Sequence, residues 1–381
     1  MLKRFAEREA GSLEIKDAVF FDGERFRRGG FSVRGGLFAD VRGEETAVSP
    51  PEGEVFVPGL VDVHIHGAAG RDFCDGDPAG DAAIGAYLAR HGVTSYCAAL
   101  MACGEDELCR AARAAVASGD EGGARLLGVY FEGPFLSPAK CGAQNRESLV
   151  SPEPELFFRL SEAARGRVAA VCVAPELPGA MGFIREASRL APVSLAHTEA
   201  DYGTAAEAFR AGATRLTHCF NTMPPLLHRE PGPVAAAMDA GAYAELICDG
   251  VHVHPAMVRA AFRLFGAEKV CVVSDSMRAA GEPDGVYELG GRRVAVRGKE
   301  ARTETGALAG SVTDLHAELL ELLEFGIAPA DALRACTGTP ARSVGGGEDA
   351  GAIVNGFPAD LVLLDREWNI KAVWRGGRAV V

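Results

Sequence analysis

The feature that most constrains this chain is a series of eight short apolar runs, spaced by segments of helix length. The runs are LVDVHIHG, TSYCAALM, RLLGVYFEGP, VAAVCVAPE, PVSLAHT, TRLTHCF, AELICDGVHVH and KVCVVSDS. Between them lie Ala-rich amphipathic stretches such as DAAIGAYLARHG, AAEAFRAG and HPAMVRAAFRLFG. Parallel strands need a crossover, usually a helix, and strands covered on both faces read as near-continuous apolar runs. Eight such units in succession are what a parallel (β/α)8 barrel requires. A barrel takes roughly 250 residues, so a chain of 381 residues accommodates one barrel and a smaller appendage.

The appendage is visible at both ends. Residues 12 to about 57 read as short strands, SLEIKDAVFFDGERF, FSVRGGLFADV and EVFVPG, broken by Gly-rich turns. The closing stretch GAIVNGFPADLVLLDREWNIKAVWRGGRAVV has the same character. Neither buries much alone, so the expected organisation is a small β-sandwich built from residues 1–57 and 351–381, bracketing a TIM-type barrel over 58–350. The loop after the eighth run is long, and GVYELGGRRVAVRGKEAR reads as a hairpin within it.

Polar residues gather at the C-terminal ends of the runs, the end at which barrel strands converge on one mouth. His64 and His66 end the first, Glu132 the third, His197 the fifth, His218 the sixth, His252 and His254 the seventh, and Asp275 the eighth. Of nine histidines, only His91 and His316 fall in helical context. Residues two apart on a strand point the same way, so His64 and His66 can face one cation. The alternative is two unrelated histidines near a turn. Glu132 follows an apolar run directly, where an unpaired carboxylate is costly to bury, so a ligand or a salt-bridged Glu is expected. His197 and His218 fit coordination or, less economically, core filling. Asp275 could cap a helix, but the following RAAGEPDG does not continue as one.

Such a set suits metal-assisted hydrolysis, because binding to a divalent ion takes the pKa of water from about 15.7 to about 7 while a carboxylate moves the proton. Histidine and carboxylate ligands accept Zn, Fe, Mn or Co alike. The net charge of −13 argues against nucleic acid and anionic membranes as partners. The opening MLKRFAEREAGSLEI lacks a signal peptide's apolar core, and no run approaches about 18 apolar residues. A cytoplasmic protein is expected, with ten cysteines that form no C-x-x-C pair and read as buried thiols.

The His-x-His of His64 and His66, Glu132 on the third run, histidines on the fifth and sixth and Asp275 on the eighth together resemble the amidohydrolase superfamily. Within it, PGLVDVHIHG, FEGPFLSPAKCGAQN, AHTEAD, THCFNTMPPLLHREPG, CDGVHVHP, SDSMRAAG and ALAGS resemble the family of N-acetylglucosamine-6-phosphate deacetylases over nearly the whole length. The resemblance implies metal ligation by Glu132, His197 and His218 and proton transfer by Asp275. With His64 and His66 retained, it allows one or two ions per subunit. It further implies that Ala143 and Gln144 meet the sugar, and that Asn221, Thr222 and Arg229 meet its phosphate. Asp249, Gly250, Val251 and His252 with Leu308, Ala309 and Gly310 would complete the pocket. Gln144 stands where several relatives carry histidine, and it too can donate a hydrogen bond. Arg229 beside His228 also forms a local cationic spot on its own account, suited to phosphate, although a solvated loop Arg reads the same way. A homodimer is implied as well. Two other readings stay open: a deacetylase for N-acetylgalactosamine 6-phosphate or another amide, and a barrel that binds without catalysing.

Overall fold

The computed structural model describes residues 13–47, 53–118, 122–345 and 350–380. Most of the opening stretch, read above for a leader's apolar core, lies outside the described residues, as do the outermost residues of both end segments.

Each apolar run contains one barrel strand. The eight are Leu60–Ile65, Val93–Met101, Arg125–Glu132, Val168–Val173, Val193–Leu195, Arg215–Leu216, Tyr243–Leu246 and Val270–Val272. They lie side by side in sequence order, every neighbouring pair parallel. Helices Pro78–Arg90, Glu105–Ala117, Pro154–Ala163, Ala180–Ala187, Tyr202–Ala211, Gly232–Asp239, Pro255–Phe265 and Leu315–Glu324 follow the strands in turn. Several begin where a side chain satisfies a free backbone N–H. Asp77 accepts from Ala79, Asp201 from Thr204 and Asp314 from Ala317.

Alternation along each strand separates two environments. On the second strand, Tyr96, Ala98 and Leu100 join the apolar layer shared with the helices, whereas Cys97 and Ala99 join the barrel interior. The seam between the first and eighth strands is closed at its upper end. Asp275 N–H donates to the His64 carbonyl at 2.9 Å, and the His66 and Gly67 N–H groups donate to the Ser276 carbonyl at 2.9 and 3.0 Å. Below them the Ser274 hydroxyl donates to Asp62 at 2.5 Å. The residues that close the barrel are therefore neighbours of those expected to do its chemistry.

Both chain ends meet in one seven-stranded sheet. Strand Leu361–Leu364 pairs antiparallel with Val55–Pro58, which pairs parallel with Leu13–Phe21. The period of two again sorts its faces. Phe20, Phe56, Leu361 and Leu363 enter a core of the sheet's own, whereas Phe21, Val55, Val57, Val362 and Leu364 enter the main core with the barrel. Burying each large side chain of that second set is worth roughly 1.5–3 kcal/mol, which fastens the appendage to the barrel.

The expected hairpin after the eighth strand is a three-stranded antiparallel sheet, Gly285–Leu289, Arg292–Arg297 and Glu300–Thr303. Leu289, Val294, Val296 and Ala301 pack with Met101, Met277 and Ala309 in a small core of their own. All ten cysteines are free, seven of them buried. No helix among the described residues is long and apolar enough to cross a membrane.

Candidate metal centre

Six side chains meet at the barrel mouth in two groups. Glu132, His197 and His218 form one, His64, His66 and Asp275 the other, and within each group one ligand atom per residue lies within 4.8 Å of the rest. All six are buried. Glu132 Oε1 stands 3.1 Å from His197 Nε2 and 2.9 Å from His218 Nε2, while its Oε2 stands 3.2 Å from His66 Nε2. Asp275 Oδ1 is 3.1 Å from His66 Nε2 and 3.7 Å from His64 Nε2.

The other ring nitrogens explain why these face inward. His66 Nδ1 lies 3.2 Å from the Ala99 carbonyl, His197 Nδ1 2.8 Å from the Lys140 carbonyl, and His64 Nδ1 2.9 Å from Glu245 Oε2. An acceptor at Nδ1 keeps the hydrogen there and turns the Nε2 lone pair into the site. His64 and His66 then present Nε2 atoms 3.3 Å apart, and His197 and His218 present theirs 3.2 Å apart. Nε2 atoms crowded against one another and against two carboxylates need either protons or a divalent cation between them, and a cation takes all their lone pairs at once. The donor set of imidazole nitrogen and carboxylate oxygen suits such an ion. The fourth histidine differs, since His218 Nδ1 is buried with no hydrogen-bond partner among the described residues.

The charges respond to this crowding. Burial works to raise the Glu132 pKa, but His197, His218 and His66 hold it well below the usual carboxylate range. Burial likewise opposes a charged His66, yet Asp275 and Glu132 outweigh it and push its pKa well up. Asp275 is held down by His66 and His64 against the effect of its own burial. Both carboxylates are therefore ionised near neutral pH.

Three of the six sit at backbone angles that L residues seldom adopt. His197, His218 and Asp275 have φ of 43°, 28° and 47°, a region costing of order 1–3 kcal/mol each. Each occurs where a strand has just ended, and the turn brings the side chain over the mouth. Gly142 packs directly against this turn at φ 57°, where a Cβ would stand 3.0 Å from Thr222 and 3.4 Å from the His197 ring.

A cavity of about 210 Å³ opens over the site. Of the residues expected around it, Ala143, Gln144, Asn221, Thr222, His252, Leu308 and Gly310 line its wall. Asp249 stands behind His252, its Oδ2 2.8 Å from His252 Nδ1 and its Oδ1 accepting the N–H groups of Val251 and His252. Gly250 and Val251 make the turn between them, and Ala309 is buried behind Leu308. Gln144 is turned toward the ligands, donating to Glu132 Oε2 at 2.6 Å and accepting from Ala102 N–H at 2.7 Å. Arg229 is exposed and stands outside the cavity wall. His254 serves another purpose, capping helix Pro255–Phe265 by accepting the Ala256 N–H.

Sequence reading passed over several contributors. Met101, Ile247, Leu289 and Ala307 complete the wall, and Glu245 with Arg215 forms a fully buried ion pair behind His64. A signal for that pair existed, since each residue interrupts an apolar run and the two runs are adjacent strands. Opposite charges at such positions are expected to find one another.

The sequence profile of the amidohydrolase family matches residues 55–380. The chain is 34% identical to the N-acetylglucosamine-6-phosphate deacetylase of Bacillus subtilis, with 98% of each chain covered. It is 33% identical to the N-acetylgalactosamine-6-phosphate deacetylase of Escherichia coli O157:H7, covering 91% of this chain and 93% of that one. Among solved structures, a mutant N-acetyl-D-glucosamine-6-phosphate deacetylase from Mycobacterium smegmatis, in complex with N-acetyl-D-glucosamine-6-phosphate, superposes with a TM-score of 0.90. The identity there is 30%, over 98% of this chain and all of the other.

Proposed function

The chain belongs to the amidohydrolase family, and from that premise we propose that it hydrolyses the acetamide of N-acetyl-D-glucosamine 6-phosphate to D-glucosamine 6-phosphate and acetate. The observation that carries this reading is the meeting of Glu132, His197 and His218 with Asp275 opposite, at the floor of one cavity.

In this reading Glu132, His197 and His218 hold a divalent ion of Zn, Fe, Mn or Co, and His64 and His66 offer a second position. Such an ion, when bound, polarises a carbonyl and lowers the pKa of water. Asp275 Oδ1, aimed by His66, takes a proton from the attacking water as the new C–O bond forms. The same carboxyl returns that proton to nitrogen as the C–N bond breaks, so the amine leaves neutral and the carboxylate is restored. Asp249 fixes the His252 ring so that its far nitrogen meets substrate. Asn221 and Thr222 contact the sugar phosphate, while Gln144 holds Glu132 and touches the sugar. Arg229, exposed beyond the cavity wall, reaches the phosphate in a neighbouring copy of a homodimer. A cytoplasmic setting, as expected from the sequence, completes the reading.

The decisive variant is Asp275→Asn. Acetate release should fall by at least about 100-fold, the lower end of what a positioned acid–base group contributes, with the ion at Glu132, His197 and His218 retained. Near-wild-type turnover would remove Asp275 from the role. The likeness to the galactosamine enzyme supports one second reading, in which the 4-epimer is the substrate. Both acetylated hexosamine 6-phosphates assayed side by side, with their dephosphorylated forms, separate the two.

A further inference from the structure

Seven of the eight strands, or the loops that follow them, put residues on the cavity wall; the fourth puts none there among the described residues. Its run, VAAVCVAPE, nevertheless ends in a carboxylate. Glu176 stands just past the strand Val168–Val173, half-buried, and reaches sideways to the turn that carries His197. Its Oε2 accepts from the Thr198 hydroxyl at 2.5 Å, and its Oε1 accepts from the Glu199 N–H at 2.7 Å.

We infer that Glu176 is a positioning residue. By pinning the two residues after His197, it holds that histidine's left-handed backbone, and so its Nε2, in place for the divalent ion of Glu132, His197 and His218. The inference rests on the metal-hydrolase reading above and gives the fourth strand its part in it.

His197 sits at φ 43°, a conformation that persists only where the surroundings over-determine it. On His197 itself, the carbonyl accepts the Ser137 N–H at 3.0 Å, and Nδ1 lies 2.8 Å from the Lys140 carbonyl. Both anchors belong to the loop after the third strand, and neither restrains the chain beyond His197. There the next three N–H groups are all taken. Thr198 donates to the Thr222 carbonyl at 3.2 Å, Glu199 to Glu176, and Ala200 to the Thr198 hydroxyl oxygen at 2.8 Å. Glu176 governs the last two, because it receives the Glu199 N–H directly and orients the hydroxyl whose oxygen accepts from Ala200. Thr198 is fully buried, and the carboxylate that meets it comes from a different strand, so adjacent sequence does not supply this contact. A return of His197 to negative φ would swing the exit of the turn and break both bonds to Glu176. Hydrogen bonds to an ionised acceptor are about twice as strong as neutral ones, and two of them outweigh the strain of one residue at positive φ. The ring so held keeps Nε2 at 3.1 Å from Glu132 Oε1 and 3.2 Å from His218 Nε2. Losing a group that orients a ligating imidazole typically weakens metal affinity by about 10–100-fold.

The test reads affinity. Metal-depleted protein is dialysed against buffered Zn²⁺ at graded free concentrations and metal per subunit is measured by plasma mass spectrometry; H197A marks the ion in question by losing it. E176A should need about 10–100-fold more free Zn²⁺ to fill that position, and T198V, which removes one of the two bonds, about 3–10-fold more. E176Q should lie close to wild type, because its amide oxygen can accept from Glu199 and its N–H can donate to the Thr198 hydroxyl oxygen. Acetate release by E176A should fall at low free Zn²⁺ and return once the position is full. Melting in chelator checks that each variant folds, and if E176A does not, T198V decides. Wild-type Zn²⁺ affinity in the folded variants, even with a lowered melting temperature, would reduce Glu176 to a structural tie and overturn the inference. E176Q as weak as E176A would overturn it too, by making charge rather than geometry the active property, as would an E176A that stays inactive when full. A wild type that takes up Zn²⁺ yet releases no acetate defeats the functional reading instead and leaves the affinity comparison standing.

Discussion

The ion pair inside the barrel gives a prediction in stability that is separate from metal. Arg215→Met leaves Glu245 with the Tyr130 hydroxyl and the His64 ring but no cation, in a place with no solvent access. Breaking a buried pair by removing one partner costs about 3–5 kcal/mol, whereas replacing both by apolar residues is often neutral. An unfolding entropy of about 2.1 cal/mol/K per residue over 381 residues comes to roughly 0.8 kcal/mol/K. The melting temperature of Arg215→Met should thus fall by about 4–6 °C in a cooperative transition, and that of R215M/E245M by no more than about 1–2 °C. Melting is followed by calorimetry in chelator, so that lost metal binding does not contribute. The pH dependence has a sign. Against its burial, Arg215 and His64 hold the Glu245 pKa to about 2. Without Arg215 that pKa rises, so the deficit of the single variant should shrink as pH is lowered from 8 to 5. A single variant melting within 1 °C of wild type, or a double variant as unstable as the single, would refute the reasoning.

Other outcomes follow from the same geometry. An ion present at about 1,000 times its Kd stabilises by about 4 kcal/mol, so chelation should lower the wild-type melting temperature by roughly 5 °C, and added Zn²⁺ or Co²⁺ should restore it. Gln144→Leu loses a charge-assisted hydrogen bond to Glu132 and strands the Ala102 N–H; urea unfolding should show a loss of about 1.5–3 kcal/mol, and an unchanged midpoint would deny Gln144 its hold on Glu132. Asp81 is fully buried with no partner for either oxygen among the described residues, and burial first, then Asp77, Asp75 and Asp72, push its pKa up to about 8. Its folded form keeps a proton that the unfolded chain loses above about pH 4, so this contribution to stability declines as pH rises from about 4 and is gone above about 8. Asp81→Asn should flatten that decline, which is worth roughly 1.4 kcal/mol per pKa unit; parallel pH–stability curves would rule it out.

Much of the architecture was legible because burial writes itself into the sequence. A strand covered on both faces must be apolar almost throughout, so eight runs such as TSYCAALM and KVCVVSDS announced eight strands, and polar residues at the upper ends of six of them announced the mouth. Backbone conformation left no such mark. Nothing in AHT or THCF tells that His197 and His218 turn through positive φ, which is how residues just past the strands come to face Glu132. Side-chain direction was equally hidden. By position alone His254 and His252 stood alike at the end of the seventh run, and only the family resemblance set His252 in the pocket; His254 caps a helix and His252 lines the cavity. Gln144 read as a sugar contact, and only its distance to Glu132 reveals a hold on the ligand itself. Arg215 and Glu245 were legible in principle, as charges inside apolar strands, but their partnership needed the barrel to bring the sixth and seventh strands together.

The central claim is that this mouth cleaves an acetamide with the help of a metal. Its most direct test is acetate release from N-acetyl-D-glucosamine 6-phosphate by protein stripped of metal and by the same protein reloaded with Zn²⁺, Fe²⁺, Mn²⁺ or Co²⁺. Stoichiometric acetate and glucosamine 6-phosphate from at least one reloaded form, with little from the stripped form, is the expected result. Reloaded protein that contains metal and yields no acetate from this sugar phosphate or its galactose epimer would contradict the claim.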